Sequence, residues 1–312
     1  MIEVENLTKK YGSFKAVDDL SFQVQKGEIL GFLGPNGAGK STTMKILSCF
    51  ISPTSGTARI GGYDILNDSL KVKELIGYLP ESAPSYKDMT VAEFLRFIGE
   101  VRGFEKAELK QKTEKVIETT SLEKVVHQTI NTLSKGFRQR VGFAQALIHD
   151  PPVLILDEPT DGLDPNQKHE VRTLIQKMSH DKAIILSTHI LEEMEAVCSR
   201  ALIINMGKIV ADGTPDELLS QSDDHNAVTL IFGGQVPEAV IVEMRTLTQI
   251  KEIKTLNTQG DQGVYKIQII PKDRKNILMD INQYVAEKKL SVVEIFSEKG
   301  QMDQVFRNLT LG

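Results

Sequence analysis

Apolar and polar positions alternate at a spacing of two through the first part of the chain. That alternation predicts short strands at IEVENL (2–7), DDLSFQVQ (18–25) and EILGFLG (28–34), the last running into a glycine loop. TARIGGYDI (57–65) adds a strand with a glycine turn. Over about 87–149 the spacing lengthens to that of helices, and in TVAEFLRFIGEVRG the side chains of Val91, Phe94, Leu95 and Ile98 share one face. From residue 153 the pattern changes again. VLILD (153–157) and AIILST (183–188) are short unbroken apolar runs, as expected of parallel strands buried on both faces. A helix is expected between them at about 166–180, and ALIINMGKIVADG (201–213) reads as a hairpin.

Near residue 220 this pattern stops. SQSDDHN (220–226) is polar and turn-prone, which predicts a linker. Beyond it the periodicities predict a strand at 227–233, a helix at 237–247, strands at 251–258 and 263–271, a helix at 273–288, a strand at 291–297 and a last helix at 301–309. A βαββαβ order is the ferredoxin-like split arrangement. Two domains are therefore expected, at 1–219 and 227–312, in keeping with 312 residues at about 150 per domain.

Composition narrows the class. The chain is 40% hydrophobic and 25% charged, with a net charge of −5 and no basic tail, so no nucleic-acid partner is expected. Its two cysteines, Cys49 and Cys198, are far apart and belong to no metal-ligand pattern, which fits a reducing compartment. The opening MIEVENLTKKYG has no apolar core or cleavage-like site, and no signal peptide is expected. No run approaches the roughly 18 apolar residues of a membrane span. The chain is expected to be soluble on its own.

Chemistry enters with GPNGAGKST, comprising Gly34, Pro35, Asn36, Gly37, Ala38, Gly39, Lys40, Ser41 and Thr42. It fits G-x-x-x-x-G-K-[ST] between a hydrophobic strand and a helix (STTMKILSCF), the context a phosphate-binding loop requires. Glycines let backbone N–H groups turn toward phosphate, Lys40 supplies a point charge to the β- and γ-phosphates, and the Ser41 hydroxyl is a Mg²⁺ ligand. VLILDEPT places Asp157 at a strand end, where it would hold Mg²⁺, with Glu158 next to it. On an extended chain Glu158 faces the opposite way and could act as general base on a water in line with the γ-phosphate. AIILST ends against His189, where a strand C-terminus opens on a nucleotide crevice.

One stretch breaks the usual rule for helix starts. In TLSKGFRQRVGFAQAL (132–147) Ser134 is a good N-cap, yet the first turns carry Lys135, Arg138 and Arg140 and no carboxylate. The positive end of a helix dipole ordinarily attracts acids. Either the bases are solvated surface residues, or an external anion belongs there.

Taken together, the P-loop, LSKGFRQR, VLILDEPT, DGLDP and STH, in that order, resemble the nucleotide-binding subunit of an ABC (ATP-binding cassette) transporter over residues 1 to about 220. The resemblance implies an α/β P-loop cassette with a parallel-sheet core, an N-terminal antiparallel β subdomain and a helical subdomain, followed by the small α+β domain. It also implies an ATPase, with catalytic residues Lys40, Glu158 and His189. The family signature LSGGQ reads LSKGF here: Ser134 and Gly136 match, while Lys135 replaces a glycine and Phe137 the glutamine. In that family two cassettes sandwich ATP, so Ser134, Gly136 and the D-loop residue Asp164 are implied to act in trans on a second copy's ATP. Tyr11 matches the position where the family stacks an aromatic ring on adenine. Glu81, in GYLPES, stands where the family usually has a Mg²⁺-contacting glutamine, which implies a charged metal ligand and tighter Mg²⁺ dependence. The YLPE form resembles gliding-motility, nitrous-oxide-reductase-maturation and multidrug export cassettes.

Separate transmembrane permease subunits are the implied partners, with the chain held through them at the cytoplasmic face of the membrane. The domain after residue 220 resembles the accessory domain of export-type cassettes and holds no catalytic cluster. Soluble ABC ATPases of repair and translation are the alternative. The first carry long coiled coils and the second two cassettes in one chain, and this chain has neither. A GTPase would need an NKxD sequence, which is absent.

Overall fold

The computed structural model describes residues 1–82, 86–234, 238–256 and 265–310. Parts of the strands expected at 251–258 and 263–271, and the first residue of the helix expected at 237, lie outside the described residues. The chain separates into two compact units, Met1–Pro215 and Asp216–Gly312.

The first unit holds two sheets. β1 (Ile2–Tyr11), β2 (Phe14–Val24), β4 (Ser55–Ile60) and β5 (Tyr63–Asp64) form an antiparallel sheet in the order β2-β1-β4-β5. β1 and β2 run longer than the alternation predicts and meet at a tight turn, with Tyr11 opposite Phe14. The cause is irregular register: Asn6 and Asp19 take left-handed φ of 49° and 61°, and the pairing shifts between Val4 and Leu7. A bulge of this kind breaks the period-two pattern without ending the strand.

The second sheet has the order β10-β9-β3-β8-β7-β6. It is built from β3 (Ile29–Leu33), β6 (Ile76–Leu79), β7 (Val153–Asp157), β8 (Ala183–Thr188), β9 (Arg200–Asn205) and β10 (Lys208–Gly213). All its pairings are parallel except the β9–β10 hairpin. β3, β7 and β8 are buried at every position, as their unbroken apolar runs predict. Phe22 of β2 packs edge to face on Phe32 of β3, ring centroids 5.1 Å apart, and so joins the two sheets through one core.

Helices α1 (Lys40–Leu47) and α2 (Ser69–Leu75) belong to this core, and α3 (Val91–Val101), α4 (Lys106–Thr119) and α5 (Lys135–Leu147) make the helical part. α3 starts at a capping box: Thr90 Oγ1 accepts from the Glu93 N–H, while the Thr90 N–H donates to Glu93. α6 (Pro165–Ser179) and α7 (Leu191–Val197) follow β7 and β8, and α8 (Pro215–Leu219) follows the hairpin.

The second unit runs β11 (Val228–Phe232), α9 (Glu238–Arg245), β12 (Ile250–Thr255), β13 (Tyr265–Pro271), α10 (Leu278–Glu287), β14 (Val292–Ser297) and α11 (Met302–Thr310). Its four strands are antiparallel in the order β12-β13-β11-β14, which is the ferredoxin-like arrangement. Val228, Leu230, Ile267 and Ile269 pack on Ile241, Met244 and Ile281 of the two central helices. Two expectations change here. The segment 220–226 is packed within this unit, because Ser222 and Asp224 are buried and bonded to Gln304 of α11. The helix expected from 273 starts at Leu278, because Asp273 and Arg274 are left-handed and the Leu278 N–H is held by the Asn276 side chain.

Candidate nucleotide site

All the site residues expected from the sequence lie in the first unit, and most converge at the C-terminal ends of β3, β7 and β8. β3 delivers the chain into the loop Gly34–Gly39. The Ala38 N–H donates to the Pro35 carbonyl at 3.1 Å, which closes the loop, and Gly39 takes φ 109° just before α1. A side chain at Gly39 would run into the Ala16 carbonyl, so only glycine fits both the angle and the space. Pro35, Ser41 and Thr42 are half-buried, Asn36 and Gly37 exposed, and Gly34 and Ala38 buried.

Lys40 is 6% exposed. Its Nζ donates to the Gly34 and Pro35 carbonyls at 2.8 and 3.3 Å and lies 3.8 Å from Glu158 Oε1. Burial pulls the ammonium below the ordinary lysine pKa, while the charges of Glu158, Asp157 and Glu81 act in the opposite direction. Glu81, exposed beyond the end of β6, is thus within electrostatic reach of the loop lysine.

Asp157 is 2% exposed at the end of β7. Its Oδ1 accepts from Ser41 Oγ at 3.1 Å and from Ser187 Oγ at 2.5 Å. Ser187 was not foreseen; the one available signal was a hydroxyl at the end of an otherwise apolar run. It also redirects Glu158. The Glu158 N–H donates to Ser187 O and Oγ at 3.2 and 3.0 Å, and Glu158 turns left-handed at φ 48°. The extended geometry expected at Glu158 is therefore corrected: a left-handed kink bonded to β8, rather than strand alternation, separates its carboxylate from that of Asp157. Glu158 Oε2 lies 2.9 Å from His189 Nδ1. Burial raises the Glu158 pKa above the ordinary glutamate value, and the neighbouring His189 and Lys40 only partly offset it. A half-buried carboxylate between an ammonium and an imidazole is equipped to take a proton from water.

Tyr11 is 52% exposed and Phe14 opposite it 61%, so the β1–β2 turn presents two aromatic rings; Lys9 Nζ stands 5.4 Å from the Tyr11 ring centroid. Ser134, Gly136 and Asp164 gather elsewhere, where α5 and α6 begin. Ser134 Oγ accepts from the Phe137 N–H at 3.3 Å, and Asp164 Oδ1 from the Gln167 N–H at 3.0 Å. The helix-start bases have partners within the chain. Lys135 pairs with Asp161 at 3.1 Å, Arg140 with Glu170, and Arg138 donates to the Leu133 carbonyl. Acids distant in sequence, which neither reading of this helix start included, thus stand beside Lys135 and Arg140. Among the described residues, no hydrogen bond or ion pair joins Ser134, Gly136 or Asp164 to Lys40, Asp157 or Glu158.

This loop, strand-end acid pair and histidine define a P-loop ATPase of the ABC class. The ABC transporter family model matches residues 17–161. The linearmycin resistance ATP-binding protein LnrL of Bacillus subtilis is 30% identical over 311 residues, covering 99% of this chain and 98% of that protein. The Nod factor export ATP-binding protein I of Ralstonia nicotianae is 35% identical over 76% of this chain and 74% of its own length. Among solved structures, an ATP-binding subunit of an ABC transporter aligns with TM-score 0.65 at 32% identity, over 71% of this chain and 92% of that one. A dimeric ATP-binding cassette in a post-hydrolysis state bound to ADP and Pi aligns with TM-score 0.63 at 25% identity, over 69% and 99%. The chain belongs to the ATP-binding proteins of ABC transporters, in the export-type branch, and is an ATPase. Among the described residues, no helix is long and apolar enough to cross a membrane.

Proposed function

We propose that two copies of this chain close around ATP and drive an exporter whose membrane-spanning subunits are separate polypeptides, with the chain held at the inner membrane face through them. The observation that carries this reading is the Glu158 carboxylate, poised 3.8 Å from Lys40 and 2.9 Å from His189 beside the phosphate-binding loop. The backbone N–H groups of Gly34–Thr42 and Lys40 cradle the β- and γ-phosphates, and Tyr11 stacks on the adenine. Glu158 takes the proton of the attacking water, and His189 orients Glu158 and contacts the γ-phosphate. Ser134, Gly136 and Asp164 complete the site of the second copy, whose phosphate competes with Asp161 for the α5 terminus. The first unit does the chemistry and the second is an accessory, regulatory domain.

The residues present fit Mg²⁺. Ser41 Oγ and Asp157 Oδ1 are 3.1 Å apart, both hard oxygen donors, and Glu81 lies within electrostatic reach of the same loop. When bound, Mg²⁺ neutralises charge on the transferred phosphoryl group. Ser41, Asp157 and Glu81 would hold it.

Glu158→Gln tests the reading. Hydrolysis should fall by roughly 10²–10⁴-fold while ATP still binds, and the variant should accumulate as an ATP-dependent dimer in analytical ultracentrifugation. Turnover at the wild-type rate would place the base elsewhere.

A further inference from the structure

Glu193 lies on α7, four residues past His189, and is 4% exposed. A buried carboxylate is costly unless charged or hydrogen-bonding partners surround it, and those around Glu193 come from three places. Thr160 Oγ1 donates a short hydrogen bond to Oε2, and Thr188 Oγ1 donates to the same oxygen at 3.5 Å. Lys168 Nζ stands 2.9 Å from Oε1, angled for an ion pair rather than a hydrogen bond, and Arg172 Nη2 stands 3.9 Å away.

The sequence positions of these partners matter more than their number. Thr160 is two residues beyond Glu158 and is itself 4% exposed. Thr188 directly precedes His189 and also accepts from the Ile190 N–H at 3.0 Å, so its hydroxyl brackets the histidine. Lys168 and Arg172 stand on the early turns of α6, the helix capped by Asp164. One carboxylate thus grips the three segments that carry Glu158, His189 and Asp164.

We infer that Glu193 is a positioning residue for ATP hydrolysis, whose buried carboxylate ties the strand ends after Glu158 and before His189 to each other and to the start of α6. This rests on the reading of Glu158 and His189 as the hydrolytic pair. Their 2.9 Å contact spans two loops, and His189 is 45% exposed, so little packing on the imidazole itself holds the distance. Misplacement by about 1 Å is enough to cost on the order of 10²-fold in rate.

The test uses the full chain carrying Glu193→Gln, Thr160→Val or both, with steady-state ATPase kinetics and thermal melting measured on each. Glu193→Gln keeps the shape and removes the charge; Thr160→Val removes only the hydroxyl that joins Glu193 to the Glu158 segment. The expected result is a fall in kcat of about 10–100-fold at a KM for ATP within about twofold of wild type. The double variant should be no slower than Glu193→Gln alone, because the Thr160 link is one of those that Glu193→Gln already disrupts. If Glu193→Gln does not fold, Thr160→Val carries the test alone. Folded variants that melt earlier yet keep kcat within twofold of wild type would make Glu193 merely structural and overturn the inference. Additive losses in the double variant would overturn it as well. Glu158→Gln, run in parallel, separates the two failures. Wild-type turnover there removes the hydrolytic pair and this inference together; an inactive Glu158→Gln beside fully active Glu193→Gln and Thr160→Val removes the inference alone.

Discussion

Two helices of the first unit, α1 and α5, begin with no acid at the cap or in the first turn, and they are finished in opposite ways. α1 has no side-chain cap. Gly39 turns left-handed ahead of it, and the buried Lys40 folds back onto the carbonyls of its own loop. α5 is capped by Ser134, and its bases are matched by Asp161 and Glu170 from the chain that follows β7. The same local signal therefore has two outcomes. At α1 no side chain among the described residues caps the helix-start N–H groups, whereas at α5 a ligand must compete with acids already in place.

The sharpest way to break this comparison is Gly39→Ala. A Cβ there collides with the Ala16 carbonyl and forces alanine to φ 109°, so ATP affinity should fall by at least about 10²-fold, read by nucleotide titration. Unchanged affinity would mean that the loop binds phosphate in another shape. At α5 the two substitutions of Ser134 should diverge. Ser134→Ala loses a cap worth about 1 kcal/mol, seen as a small drop in melting temperature. Ser134→Arg places a bulky cation where the second copy's ATP must lie, and hydrolysis should fall at least tenfold while the lone chain still binds ATP. If Ser134→Arg left hydrolysis intact, α5 would have no part in a shared site.

A smaller effect concerns pH. Burial raises the Glu158 pKa, so the base is lost by protonation at a pH above the ordinary glutamate range, and kcat should fall as pH drops through that raised value. His189 pulls the Glu158 pKa down. His189→Asn should therefore shift the acid limb of the residual activity to higher pH, and a shift to lower pH would reverse the assigned electrostatics. The smallest effect is expected at Lys135. Its pair with Asp161 is about half exposed on both sides and worth about 0–1 kcal/mol. Lys135→Gly should leave the melting curve nearly unchanged; a large loss of stability would show that the pair holds α5 in place.

Much of this was legible along the chain. VLILD and AIILST are buried strands because every position before their polar ends is apolar, and those ends open on the site. Thr90 with Glu93, and Asp164 with Pro165, start α3 and α6 through contacts between near neighbours in the chain. The reading failed where partners were distant. The kink at Glu158 depends on Ser187, 29 residues away, and the acids beside α5 stand 26 and 30 residues from the bases they meet. The bulges at Asn6 and Asp19 hid the true length of β1 and β2, because a shift of register cancels the alternation that would reveal them.

The sequence by itself determined the phosphate loop, the order of strands and helices in the second unit, and the identity of the acid pair. Those follow from local rules: side-chain period, glycine's angles and the capping of helix ends. Only the tertiary structure decided where Glu158 points, which charges offset the start of α5, and that Glu193 meets Thr160, Thr188, Lys168 and Arg172. Those depend on β7 lying beside β8 and on α6 and α7 reaching one buried carboxylate, and strand neighbours are set by packing of the whole core rather than by any short stretch of chain.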